Sequence, residues 1–92
     1  MVNYKNGKIY KLYSSNTDII YISFTIADLY HCLHSHKTRY NYYLRDKFIY
    51  QPQFDVVKAG GLKIICIEEY PCDSALQLRI RTKEVIKEYL NN

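Results

Sequence analysis

The order of its predicted elements places this 92-residue chain in the α+β class. Two short runs rich in β-branched and aromatic residues come first, at 7–13 and 19–24, with a polar segment between them. A helical pattern, a short helix, a third apolar run and a final helix follow. This order predicts one domain, 1–92, in which a small antiparallel or mixed sheet has helices packed against it.

The first two strands are predicted to form a hairpin. Residues 7–13 alternate in the manner of a strand, with Ile9 and Tyr13 among the bulky members. Residues 19–24 read Ile-Ile-Tyr-Ile-Ser-Phe, which favours a second strand. Ser, Asn, Thr and Asp fill the segment 14–18, a composition typical of turns.

A helix is predicted to follow the hairpin, beginning near Thr25 or Asp28, since either residue is a suitable N-cap. Beyond them, mainly apolar side chains recur at helical spacing. They form one inward-facing stripe: Leu29, Cys32, Leu33, His36 and Tyr40.

The second half of the chain contains a short helix, a strand and a long helix. Residues 54–59 are predicted to be helical and to end at the Gly60-Gly61 pair. The run 62–70 is the third strand. Ser74 and Gln77 have the spacing of a capping box, so the last helix is predicted to begin there and to end near Leu90.

Composition limits the classes of protein that fit. The formal charge of +4 permits contact with a phosphate backbone without requiring it. No apolar run approaches the roughly 20 residues of a membrane span, and no apolar leader follows the first methionine. We therefore expect an intracellular protein with no membrane association. The three cysteines show no CxxC spacing, which disfavours a disulfide framework or a cysteine zinc site.

Two tyrosine-containing strands carry a resemblance to a known family. Lys8-Ile9-Tyr10 and Tyr21-Ile22-Ser23, followed by a helix with His36, resemble the opening of the GIY-YIG nuclease domain. The third strand, ending in Glu69-Tyr70-Pro71-Cys72, resembles a late segment of members from large DNA viruses. The resemblance covers about 7–90 and implies a three-stranded antiparallel sheet flanked by helices. A viral origin would imply the cytoplasm or nucleus of a host cell.

The resemblance also implies a damaged catalytic site. Tyr10 and Tyr21 stand where the family's tyrosines contact the attacking water and the scissile phosphate, and His36 stands at the histidine position. The arginine position falls on Cys32, and the position of the metal-binding carboxylate falls on Thr82. A guanidinium and a metal ion each stabilise the transition state strongly. We therefore expect a pseudoenzyme with a remnant site and no cofactor.

An alternative is an active endonuclease that depends on Mg²⁺ or Mn²⁺. A slip of one or two residues in the alignment would make Glu84 the metal ligand in place of Thr82. A zinc site built from the histidines and cysteine of 31–36 is disfavoured, because only Cys32 and His36 share a helical face.

A domain of this kind without cleavage activity has two further roles open to it. One is nucleic-acid binding, with DNA as the partner, through basic residues such as Lys11, Lys37, Arg39, Arg79 and Arg81. The aromatic stretch 40–43 then offers surfaces on which bases stack. The charges are nevertheless mixed in sign, as on an ordinary solvated surface. The other role is protein interaction or a structural role in an assembly, because a site filled by Cys32, Thr82 and Ser23 fits a protein kept for its shape.

Overall fold

The computed structural model describes residues 3–91 and confirms the predicted α+β class. A single 3₁₀ turn, Tyr4–Asn6, precedes the regular elements and was not predicted. In chain order these are β1 (Lys8–Ser14), β2 (Thr17–Thr25), α1 (Leu29–Leu44), α2 (Phe54–Lys58), β3 (Lys63–Glu69) and α3 (Ala75–Leu90). Within 3–91, no helix has the length and apolar character needed to cross a membrane.

The three strands form one antiparallel sheet, as predicted from the resemblance, and their order in it is β2-β1-β3. The central strand β1 pairs with both neighbours, so that Tyr10 lies opposite Ser23 on β2 and Cys66 on β3. Ile9 and Leu12 on β1 are completely buried. The first strand of the chain is therefore both the central strand of the sheet and a buried one.

Helices cover the sheet on both faces. Because successive side chains of a strand point to opposite faces, Ile9 and Tyr10 enter separate clusters. Ile9 packs with Leu78 and Val85 of α3. Tyr10 packs with Cys32 of α1, in a cluster that also contains a residue of α2. The fold thus has an α1 face, which α2 shares, and an α3 face.

Both long helices begin at predicted caps. The Asp28 carboxylate accepts a hydrogen bond from the His31 amide at 2.9 Å, so α1 begins at Leu29 rather than after Thr25. At α3, the Ser74 hydroxyl accepts from the Gln77 amide at 3.3 Å. The Gln77 side chain reaches back to the amide of residue 73 rather than to that of the cap itself.

Glycine is required at the start of β1. A Cβ at Gly7 would lie 2.7 Å from the Tyr70 carbonyl oxygen, too close for any side chain. The Tyr70 amide donates to the Gly7 carbonyl at 2.9 Å, which joins the beginning of β1 to the segment after β3. At the other end of the sheet, Gly60 has a φ of +79°, as expected of a residue that ends a short helix.

Candidate functional site

The α1 face brings the predicted histidine and tyrosines together. His36 lies on the inward stripe of α1 and is 3% exposed. Its Nε2 is 2.8 Å from the Tyr10 hydroxyl. The Tyr21 ring meets the His36 ring edge-on, with 6.1 Å between the ring centroids. Cys32, one turn earlier on α1, belongs to the same cluster as Tyr10.

Burial keeps this pair of side chains uncharged near neutral pH. Burial is the main cause that lowers the pKa of His36 to about 4, and the positive charge of Arg39 contributes to the same shift. Burial is also the main cause of the raised pKa of Tyr10, with Cys32 adding to the rise. His36 is therefore a neutral imidazole and Tyr10 a neutral phenol under physiological conditions.

One nitrogen of the histidine has no polar partner. Among residues 3–91, His36 Nδ1 is the one buried side-chain nitrogen or oxygen that makes no hydrogen bond. A buried N–H without an acceptor is rarer in proteins than a lone pair without a donor. We therefore assign the ring proton to Nε2, which donates to the Tyr10 hydroxyl oxygen.

A cleft of about 350 Å³ lies in front of this pair, between α1 and the end of β2. Its walls include Tyr10, Cys32, His36, Ser35 and Arg39. Within the described part of the chain, Arg39 makes no ion pair with a carboxylate. Its guanidinium is thus a cation in the cleft that no acidic side chain neutralises.

Arg39 was predicted only as one of several surface cations, and its place in the cleft was missed. The signal was available, because Arg39 follows His36 by three residues and so lies on nearly the same face of α1. A second cation lies on this face of the sheet, since Lys8 shares it with Tyr10. The Lys8 amine donates to the carbonyls of Asn6 and Ala27 at 2.9 and 3.0 Å.

The two candidate metal-ligand positions lie on α3, which covers the opposite face of the sheet. Thr82 is buried, as predicted, and its hydroxyl donates to the Leu78 carbonyl at 2.7 Å. Glu84 is exposed and lies 3.4 Å from the Arg81 guanidinium. No group of three or more His, Cys, Asp or Glu residues within 3–91 is arranged to hold a metal ion. These residues do not fit the divalent ion that the resemblance implies.

The predicted nucleic-acid contacts are divided between the two faces. Lys37 and Arg39 lie on α1, whereas Arg79 and Arg81 lie on α3. Lys11 also belongs to the α3 face, because its amine donates to a tyrosine hydroxyl of that helix at 3.0 Å.

Arg81 has a structural role. Its guanidinium binds the Glu68 carboxylate through two hydrogen bonds of 2.7 and 2.8 Å. This bidentate contact joins α3 to β3 and neutralises the charge of Arg81.

Comparisons of the chain with models of protein families, with curated proteins and with solved structures find no match. The resemblance to GIY-YIG domains therefore depends on the residues quoted above. Function is inferred from the geometry of the cleft.

Proposed function

We propose that this chain is a GIY-YIG-like domain that binds nucleic acid without cleaving it. The observation that carries the proposal is the Arg39 guanidinium, which lies in the cleft beside the neutral Tyr10–His36 pair and makes no ion pair within 3–91. A guanidinium forms two parallel hydrogen bonds with a phosphate group, which makes arginine the preferred residue for this contact. Neither neighbour carries a negative charge that would repel a phosphate.

The same geometry argues against cleavage. Attack of water on a phosphodiester is accelerated by a side chain that accepts a proton from the water at neutral pH. The pKa of His36, near 4, makes it a weak base, and the raised pKa of Tyr10 keeps its hydroxyl protonated. Thr82 and Glu84 belong to the helix on the other face of the sheet. The cleft therefore supplies recognition of a phosphate rather than activation of water.

The first experiment measures binding of a fluorescein-labelled oligonucleotide by anisotropy at several salt concentrations. We expect Arg39→Ala to weaken binding and to reduce the salt slope by about 1, the effect of removing one phosphate contact. Arg45→Ala is the matched control, because Arg45 caps the same helix but does not line the cleft. Equal losses in the two variants, or binding that does not depend on salt, would contradict the proposal.

A nicking assay on supercoiled plasmid tests the endonuclease alternative. With Mg²⁺ or Mn²⁺ present, we expect no more nicking from the wild-type protein than from Tyr10→Phe. Nicking by the wild type that the substitution abolishes would show a working nuclease and would return Glu84 to consideration as a ligand.

A protein-interaction module is the second candidate, and an apolar groove favours it. Side chains of β2 and α3 line this groove of about 360 Å³, among them Ile20, Ile86, Tyr89 and Leu90. Leu90 is 79% exposed. Contiguous exposed apolar surface is typical of contact sites for other proteins. Failure of the wild-type protein to bind any oligonucleotide would favour this candidate.

A further inference from the structure

An aromatic pocket lies near the C-terminal end of α1, and none of its lining residues also lines the cleft. The end of this helix, the segment 45–53 and α2 enclose a space of about 280 Å³. Phe54 is almost completely buried and forms its floor. The rings of Tyr43, Tyr40 and Tyr50 surround Phe54 at centroid distances of 5.2, 5.7 and 6.3 Å.

Two charged residues complete the lining of this aromatic pocket. Asp55 accepts a hydrogen bond from the Tyr50 hydroxyl at 2.7 Å through one carboxylate oxygen. Its other oxygen makes no hydrogen bond within 3–91 and remains available to an N–H donor. Lys58, which also lines the pocket, carries the opposite charge. A cationic ligand would meet this ammonium group, so the lining fits a neutral aromatic ring with an N–H donor next to an anionic group.

An unpaired nucleobase attached to its phosphate has this chemistry. Bases stack on tyrosine and phenylalanine rings, and an aspartate accepts a hydrogen bond from an exocyclic amino group. The volume of the pocket lies just below the range of about 300–1,000 Å³ typical of small-molecule sites, which suits a single base rather than a larger ligand. The Lys58 ammonium then pairs with a backbone phosphate.

The pocket is also close to the proposed phosphate contact. Arg39 and Tyr43 are four residues apart on α1, and such positions are neighbours on a helix surface, with about 5–6 Å between their Cβ atoms. A strand whose phosphate binds Arg39 thus has an adjacent nucleotide within reach of the pocket. In a duplex the bases are stacked inside, and entry would require one base to leave the stack.

We propose that the aromatic pocket binds one unpaired base, so that the ligand of this domain is single-stranded nucleic acid. This inference rests on the proposed function, because Arg39 supplies the neighbouring phosphate contact. The aromatic pocket is a second contact for the ligand, in addition to Arg39. Because only an unpaired base can stack in the pocket, this contact favours single strands over duplexes.

The test uses fluorescein-labelled 12-nucleotide single strands of DNA and of RNA, and the DNA duplex of the same sequence. By anisotropy we expect the single strands to bind at least about 10-fold more tightly than the duplex. Loss of one stacking partner in Tyr50→Ala should weaken single-strand binding by about 5- to 100-fold and leave duplex binding unchanged. The DNA and RNA arms show which sugar the site prefers.

Tyr30→Ala is the matched control for Tyr50→Ala. Tyr30 is an exposed tyrosine in the first turn of α1, and it lines neither the pocket nor the cleft. Tyr30→Ala should change neither the single-strand affinity nor the duplex affinity. Tyr50→Phe keeps the ring and loses the hydroxyl, so it should retain most of the affinity for single strands.

Asp55→Asn tests the same pocket if the Tyr50→Ala variant does not fold. Asp55 is exposed, and Asp55→Asn keeps the size of the side chain while it removes the charge and replaces one acceptor oxygen with an NH2 donor. The wild-type protein should prefer oligo-dC, which has an exocyclic amino group, over oligo-dT, which has none. Asp55→Asn should abolish this preference.

The possible failures are distinguishable. If no oligonucleotide binds, both the proposed function and this inference are wrong. If single strands and duplexes bind equally, and only Arg39→Ala weakens binding, the proposed function stands and the pocket does not bind a base. A Tyr50→Ala variant with a lower melting temperature but unchanged affinity would show that the aromatic rings only hold the segment 45–53 against α2.

Discussion

The two faces of the sheet use their polar residues differently. On the α3 face, each polar group near the core has a partner within the domain: the Thr82 hydroxyl binds the Leu78 carbonyl, and Arg81 binds Glu68. On the α1 face, His36 Nδ1 has no hydrogen bond and Arg39 has no ion pair within 3–91. The polar groups of the α3 face thus stabilise the domain, whereas on the α1 face Arg39 is free of the carboxylates described in 3–91 and His36 Nδ1 is buried without a partner.

The largest effect is expected on the α3 face, where Leu78 is completely buried. Leu78→Ala should lower the free energy of unfolding by about 2–5 kcal/mol, because it removes apolar contacts and leaves a cavity. Leu76→Ala is the matched control, since Leu76 lies on the same helix but is 62% exposed. Urea denaturation measures both. Similar losses in the two variants would mean that α3 does not pack through the Leu78 face.

A smaller effect is expected on the α1 face as the pH falls. The pKa of His36 is lowered from 6.5 to about 4 in the folded state, so the folded protein binds fewer protons than the unfolded chain between these values. The stability that depends on neutral His36 is fully present above pH 6.5 and is lost as the pH falls toward 4. At about 1.4 kcal/mol per pKa unit, the loss is about 3 kcal/mol.

Chemical denaturation at pH 7 and at pH 4.5, with His36→Phe as the comparison, measures this pH effect. The variant should lose much less stability over the interval than the wild type does. Asp28 and Glu68 also have lowered pKa values, but carboxylates lose their stabilising charge mainly below pH 4.5. A wild type and variant with the same pH dependence would show that His36 is not buried in its neutral form.

The smallest of the three effects on stability is expected from loss of the hydrogen bond between His36 and Tyr10. Tyr10→Phe leaves His36 Nε2 buried without an acceptor and should cost about 1–2 kcal/mol of stability. Tyr21→Phe removes the hydroxyl of the other tyrosine ring that contacts His36. This hydroxyl makes no hydrogen bond within 3–91, so its loss should cost less. Thermal unfolding of both variants would show the difference, and a larger loss for Tyr21→Phe would reverse the hydrogen-bond assignment.

Local patterns in the sequence predict the elements of this fold well. The stripe from Leu29 to Tyr40, the N-cap at Asp28 and the capping box at Ser74 depend on neighbours within one or two helical turns, so spacing alone reveals them. The hairpin likewise follows from composition. Thr82 was correctly predicted to point inward from α3.

The site was less predictable, because periodicity does not say which face of the sheet a helix covers. An inward position on α3 lies against Ile9, whereas an inward position on α1 lies against Tyr10. The aromatic pocket was also not predicted from the sequence, because Tyr50 and Phe54 follow α1 without regular spacing. Their contacts with Tyr43 form only when the segment 45–53 folds back on the helix.

The strand order β2-β1-β3 has a consequence for how the chain folds during synthesis. β1 can pair with β2 as soon as β2 has been synthesised, because the first pair, Ser14 with Thr17, is only three positions apart. The other edge of β1 stays unpaired until β3 has been synthesised. Even the β1–β3 pair with the smallest separation in sequence, Tyr13 with Lys63, is 50 positions apart. Until the ribosome releases β3, an apolar hairpin has an open backbone edge on its central strand, the kind of edge that pairs with other chains. Slow translation before β3 would therefore lengthen the period in which this domain is prone to aggregate.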